Sequence, residues 1–153
     1  MEKWKHIEDM SVEDVRKMQE EILNTSLRAI TALDFLKDSN TEVTYNYNEL
    51  EGVCPMTGLP DNYELKIIWT PNKYIPELKS LRLYFIEYRD LPILHEHLIN
   101  KIYDDFFRAV KPLKLRVEIN VAVRGGISTR LVKGGFEIID EFPVKKHEVL
   151  IGD

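Results

Sequence analysis

Cysteine is scarce in this 153-residue chain: there is one, Cys54. A single thiol excludes an intrachain disulfide and a cysteine-built zinc site, and it points to a reducing compartment, so a cytoplasmic location is expected. Apolar runs are short; none approaches the roughly 20 residues that cross a bilayer, and no membrane partner is expected. The first residues, Met1-Glu2-Lys3-Trp4-Lys5-His6, lead into an acidic amphipathic stretch rather than the apolar core of a signal peptide. Basic residues are outnumbered. The net charge of −5 argues against a protein whose main task is to coat nucleic acid, and no direct nucleic-acid contact is expected. Repeats, low-complexity blocks and long linkers are also missing. Hydrophobic residues at 44% against 31% charged describe one ordinary domain that can bury a core.

The one cysteine stands in an unusual setting. Gly52-Val53-Cys54-Pro55-Met56-Thr57-Gly58-Leu59-Pro60-Asp61 holds two prolines and two glycines. That composition forbids a helix, disfavours a central strand and predicts a stiff, shaped loop over the whole stretch. A lone cysteine is usually a small buried hydrophobe. A loop, however, is where chemistry is more often placed. A thiolate is a strong nucleophile and a neighbouring carboxyl can manage its protons. Cys54 is therefore the candidate nucleophile and Asp61 the candidate proton handler.

Periodicity sets out the rest. Ser11-Val12-Glu13-Asp14 reads as a helix start, and Val12, Val15, Met18, Ile22, Leu27 and Ile30 extend an amphipathic helix into the twenties, as far as 36. Asp38-Ser39-Asn40 breaks it. This gives an N-terminal helical extension, 1–40, ahead of a body, 41–153. Alternation predicts strands at Thr41–Tyr47 and Tyr63–Thr70. Pro76-Glu77 opens a helix with the stripe Leu81, Tyr84, Phe85 and Tyr88. Asp90, with Pro92 in the first turn, is expected to cap a second helix carrying Leu94 to Val110. Leu113 to Val123 alternate strictly, Arg124-Gly125-Gly126 turns the chain, and a last strand falls within 127–140, interrupted at Gly134-Gly135. Strands grouped on both sides of a helix pair predict an α+β fold: an antiparallel four-stranded sheet, two helices on one face, and the N-terminal helix added. Such a sheet has two open edges, and their covering predicts a homo-oligomer.

Three further groups could carry chemistry. His95-Glu96-His97 is a poor metal site, since residues two apart on a helix point about 200° apart; no metal is expected. His97 reads as a solvated or interface residue. Glu96 suits a helix N-terminus. Lys79 and Arg82 share one face of the first body helix, and Arg124 precedes two glycines where backbone can approach a ligand. These cations can grip phosphates, or they are an ordinary solvated face. Gly125-Gly126 is not a Rossmann fingerprint, so any dinucleotide must be bound by another route.

In register, these residues resemble one family. Cys54-Pro55-Met56-Thr57-Gly58-Leu59-Pro60-Asp61, the run Glu77-Leu78-Lys79-Ser80-Leu81-Arg82-Leu83-Tyr84 leading through Arg89 to His95-Glu96, and Arg124-Gly125-Gly126-Ile127 look like the motif blocks of single-module NADPH-dependent 7-cyano-7-deazaguanine reductases, the QueF-type nitrile reductases of queuosine biosynthesis. The blocks span about residues 41–130. The resemblance implies the tunnelling fold, in which ββααββ subunits join edge to edge into a homo-oligomer with sites at subunit interfaces. It implies that Cys54 adds to the nitrile of the small-molecule substrate, 7-cyano-7-deazaguanine, as a covalent thioimide, with Asp61 and His95 moving protons. It implies that Glu96 and His95 bind the base, that Glu77, Leu78 and Ser80 wall the site, and that Lys79, Arg82, Arg124 and Gly125 hold NADPH. Arg82 stands where the family usually has Lys, Leu94 where it often has Phe, and Asp90 where it commonly has Asn. The rival readings are an amidinotransferase-like branch that adds ammonia to the same nitrile on transfer RNA, and a non-catalytic binding module. The run from Glu77 to Tyr84 favours reductase.

Overall fold

A computed structural model describes residues 10–37 and 40–139 of the chain, with the side chain of Arg124 left out. The charged tail from Glu141 lies outside the described residues. Chain order is α1 (Val12–Asn24), β1 (Ala32–Asp34), β2 (Val43–Val53), β3 (Pro60–Thr70), β4 (Tyr74–Pro76), α2 (Leu78–Ile86), a 3₁₀ turn (Glu87–Asp90), α3 (His95–Val110), β5 (Lys114–Arg124) and β6 (Ile127–Gly134). The expected α+β architecture is present. One antiparallel sheet runs β2-β3-β5-β6, leaving β2 and β6 at its edges. Among the described residues, no helix is long and apolar enough to cross a membrane.

β3 is the central wall. It pairs with β2 on one side and β5 on the other, and its residues alternate exposed and buried from Pro60 to Ile67. The buried row is Asp61, Tyr63, Leu65, Ile67 and Trp69. Leu115, Val117 and Ile119 of β5 continue the same apolar face. α3 lays Leu98, Ile102, Phe106 and Val110 on it, a helix-period stripe. Burying each such side chain contributes about 1.5–3 kcal/mol. Phe106 meets Trp69 edge-on at 5.3 Å between ring centroids. On β2 the register slips between Tyr47 and Leu50, where three residues span two of β3. Val43, Tyr45 and Tyr47 face the core before this bulge; Leu50 and Gly52 do so after it.

Several boundaries differ from the sequence expectation. α1 ends in the twenties, at Asn24, and does not run on to the outer bound of 36, because Asn24-Thr25-Ser26 are residues whose side chains compete for local backbone groups. Thr25 Oγ1 indeed donates back to the Glu21 carbonyl at 2.7 Å. The following segment runs extended and pairs with β4, Leu33 opposite Ile75, in a second, two-stranded sheet that periodicity did not reveal. The loop around Cys54 is also shorter than expected. Gly52 and Val53 belong to β2, Pro60 and Asp61 to β3, and the loop proper is 54–59. Pro60 is tolerated because it is the first residue of its strand. Asp90 caps no α-helix; it ends the 3₁₀ turn, and α3 begins at His95 with Leu94 as N-cap. Pro92 explains this, since the residue before a proline is pushed out of the helical region and Leu91 is extended at φ −97°, ψ 119°.

Gly134 closes β6 at φ +84°, and a Cβ there would come within 2.2 Å of the Leu115 carbonyl oxygen. Both the backbone angle and the close approach demand glycine. Gly134→Ala is expected to lower unfolding free energy by more than about 1 kcal/mol, read as a lower urea midpoint with an unchanged m-value. An unaltered midpoint would show that the β5–β6 contact relaxes freely.

Candidate active site

The loop 54–59 is a compact hairpin connection. The Cys54 amide donates to the Leu59 carbonyl and the Gly58 amide to the Cys54 carbonyl, both at 2.8 Å. Gly58 sits at φ +72°, which supplies the turn that a side chain would strain. Cys54 is half-buried and forms no disulfide. Gly52 lies directly opposite Asp61 in the β2–β3 ladder, so the thiol is anchored two residues beyond the partner of the carboxyl. Asp61 is 7% exposed and sits on the inward row of β3. The space at Gly52 is filled by the Tyr63 ring, which would lie 3.4 Å from an added Cβ.

The loop is also tied to the segment ahead of α3. The Val53 amide donates to the Leu91 carbonyl at 3.0 Å. From there the chain runs to His95 and Glu96 in the first turn of α3, where His95 Nε2 lies 3.0 Å from Glu96 Oε2. The Glu96 side chain is 63% exposed, so its carboxylate faces open space at the helix N-terminus. His97 is not a solvated residue: its Nδ1 lies 3.0 Å from Gln19 Oε1. Arg124 pairs with Ile127 across Gly125 and Gly126, whose φ values of +56° and +79° make a two-residue hairpin turn. A Cβ at either glycine would meet nothing within 4 Å, so the turn angle alone explains them. Val121 lies opposite Tyr63, which puts this turn at the same end of the sheet as Asp61 and the Cys54 loop.

The run Glu77–Arg82 lies elsewhere. Glu77 is the N-cap of α2: its carboxylate accepts from the Lys79 amide at 2.7 Å and the Ser80 amide at 2.9 Å. These two bonds hold its pKa below the usual carboxylate value. The Ser80 hydroxyl donates to the Glu77 carbonyl and accepts from the Thr31 amide, so it is enclosed. Leu78 is 59% exposed. Lys79 and Arg82 are exposed, and Arg82 makes a loose surface pair with Glu49 at 3.9 Å. A shallow cleft of about 270 Å³ opens here, between Tyr45 and Tyr47 of β2 and Leu78, Leu81, Arg82 and Phe85 of α2. At about 3.3 Å per strand residue, Tyr47 and Cys54 are roughly 20 Å apart. One chain therefore presents two poles: Cys54, Asp61, His95, Glu96 and the Gly125 turn at one, and Leu78, Lys79 and Arg82 at the other.

A family model described as QueF-like protein matches residues 60–135. The NADPH-dependent 7-cyano-7-deazaguanine reductase of Thermoanaerobacter pseudethanolicus is 46% identical over 95 residues, covering 62% of this chain and 71% of that protein. This chain belongs to that reductase family. The reductase of the same name from Caldicellulosiruptor bescii is 43% identical over 95 residues, 62% of this chain and 72% of its own. That from Thermomicrobium roseum is 38% identical over 104 residues, 68% of this chain and 80% of its own. The fold is shared with a solved structure of the archaeosine synthase QueF-Like in the apo form, at a TM-score of 0.55 and 23% identity over 63% of this chain and 94% of that one.

The residues present suit a phosphate-bearing cofactor of the kind this reductase family is named for. Arg82 lines a largely apolar cleft, and Lys79 is an exposed neighbour on the same helix. The helix N-terminus itself is not free to bind phosphate, because Glu77 occupies the Lys79 and Ser80 amides. A phosphate there would rest on the two side chains. Sequence reasoning missed Gln19 and the Leu91 carbonyl. Gln19 left a signal, a polar residue inside the apolar stripe of Val15, Met18 and Ile22; a backbone carbonyl leaves none.

Because folding lowers the Glu77 pKa, the cap stabilises the protein above the unfolded carboxylate range and that stability is lost as pH falls through the folded pKa. Glu77→Gln is therefore expected to melt below wild type at neutral pH, the gap closing as the buffer is taken to about pH 3. A gap independent of pH would remove the charged cap as its cause.

Proposed function

We propose that this protein reduces the nitrile of 7-cyano-7-deazaguanine to the primary amine, with NADPH as reductant. Membership of the reductase family carries this reading, together with Cys54 held at the open end of β2 opposite the Asp61 strand. A nitrile is a weak electrophile until a thiolate adds to it. The Cys54 sulfur would form a bond to the nitrile carbon while the nitrogen takes a proton, giving a thioimide. Asp61, shut off from water at the foot of the loop, is the proposed source of that proton, and His95 a second carrier. Nitrile to amine takes four electrons, so bound NADPH would supply one hydride in each of two rounds.

Recognition of the base would fall to Glu96. A guanine-like edge presents N–H donors, and an ionised carboxylate is an acceptor alone. His95, 3.0 Å from that carboxylate, would hold it in place. Leu78 would form part of the wall of the cofactor cleft, with Ser80 enclosed behind it and Lys79 and Arg82 on its phosphates.

The two poles carry a further consequence for assembly. One cofactor molecule lying between the α2 cleft and Cys54 of a single chain would have to span the roughly 20 Å from Tyr47 to Cys54. We place the working site between copies, joined along the free edges of β2 and β6, so that the α2 pole of one copy meets the Cys54 pole of another.

Two measurements test this. Wild type mixed with the base and NADPH is expected to lose NADPH absorbance, two equivalents per base. The base alone is expected to add its own mass to the protein. Cys54→Ala should abolish the adduct and lower turnover on the order of a thousandfold or more; Asp61→Asn should cost about 10²–10⁴-fold. A stable wild type that leaves NADPH untouched, or that consumes ammonia instead, ends the reductase reading. Separately, Cys54→Ala chains co-assembled with Lys79→Ala/Arg82→Ala chains are expected to regain turnover that neither has alone. No regain in a mixed oligomer would place each site within one chain.

A further inference from the structure

Helix α3 begins without a cap of its own. Its N-cap residue is Leu94, and leucine has no oxygen to offer the first free amides of the helix. In a capping box, the side chain at the third helical position reaches back to the N-cap amide. That position is His97 here, and the Leu94 amide instead donates to Gln19 Oε1 at 2.9 Å. The acceptor comes from α1, 75 residues earlier in the chain.

Gln19 is 2% exposed. Its amide orientation is fixed by two backbone partners of opposite kind. Nε2 donates to the Pro92 carbonyl at 2.8 Å, which can only accept, and Oε1 takes the Leu94 amide, which can only donate. The same Oε1 lies 3.0 Å from His97 Nδ1. An oxygen cannot donate, so His97 carries a proton on Nδ1. Three bonds from one side chain thus bracket residues 92–97, and His95 and Glu96 lie inside the bracket. A second tether fixes where α1 sits. Lys101 of α3, 5% exposed, donates to the Thr25 carbonyl at the end of α1 at 2.8 Å and pairs with Asp105 at 3.5 Å. Met18 and Ile22 are buried on the same side of α1. The helix is therefore held in register against α3, not merely laid upon it.

We propose that Gln19 is a positioning residue of the candidate active site: α1 supplies from outside the acceptor that a capping box would give the Leu94 amide, and this clamp sets the placement of His95 and Glu96. The proposal rests on the reductase reading. It assigns a task to a helix lying before the 60–135 segment that the family model matches.

The test uses the full chain and three forms. Gln19→Met keeps length and bulk and removes all three bonds. Gln19→Glu keeps the acceptor for Leu94 and His97; when protonated it can still donate to Pro92, and when ionised it loses that donor and sets an oxygen against the Pro92 carbonyl. Without any ligand, wild type is expected to show His97 as the Nδ1–H form in imidazole ¹⁵N spectra and a slowly exchanging Leu94 amide. Gln19→Met should lose both while keeping its far-UV spectrum. With NADPH and the base, kcat/KM should fall by about tenfold to a hundredfold in Gln19→Met, chiefly through KM for the base, and recover in part in Gln19→Glu. Wild-type kcat/KM in folded Gln19→Met overturns the proposal, as does an equal fall in both variants, which a merely structural role would give. If wild type itself does not oxidise NADPH, the reductase reading falls and the ligand-free spectra decide alone: an unchanged His97 form and Leu94 exchange in Gln19→Met overturn the clamp.

Discussion

Five inward side chains of β3, from Asp61 to Trp69, are closed off from water between two hydrogen-bonded neighbour strands. Four of them are core, and the helices rest on them. The fifth is a carboxyl. The alternation that packs Trp69 against Phe106 also carries Asp61 inward at the far end of the strand. Hydrophobic burial and the chemistry of the site are thus drawn from one row. The apolar members contribute about 1.5–3 kcal/mol each to the burial of that row.

Around that row the molecule is laced by backbone groups rather than by salt bridges. The Leu91 carbonyl accepts from Val53, the Thr70 carbonyl from Leu113, and the Thr31 carbonyl from Glu77. Each joins segments distant in sequence. Surface pairs such as Arg82–Glu49 contribute little. Glu118 is a firmer case: Arg116 and Arg130 both reach it at 2.8 Å and hold its pKa below the usual carboxylate value. That cluster joins β5 to β6 on the face away from the helices.

The strand alternation was legible because it depends on local pattern alone; Leu115 to Ile119 and Tyr63 to Ile67 are buried as their spacing requires. The Cys54, Glu77 and Arg124 blocks stood out for the same reason, since each is a motif read in chain order. What could not be read depended on partners far along the chain. Thr25 ends α1 locally, but the strand after it exists only because β4 is there to pair with. Asp90 is a plausible cap by composition and lost to Pro92, which extends Leu91 into the reach of Val53. His97 looked like a surface residue because Gln19, its partner, lies 78 residues away. Glu77 was assigned a place in the site by resemblance, whereas its carboxylate is already engaged with two amides of α2.

The bulge in β2 between Tyr47 and Leu50 acts as a change of phase. Before it, odd-numbered residues face the helices; after it, even-numbered ones do. The strand therefore follows two opposite parity rules in series, one for the cleft beside α2 and one for the approach to the thiol. Each half can be matched to its own neighbours without a compromise in the other. A strand of uniform pleat would have had to choose between stacking Tyr47 on Phe85 and setting Gly52 against the ring of Tyr63. One extra residue at Asn48-Glu49 lets a single edge strand serve both.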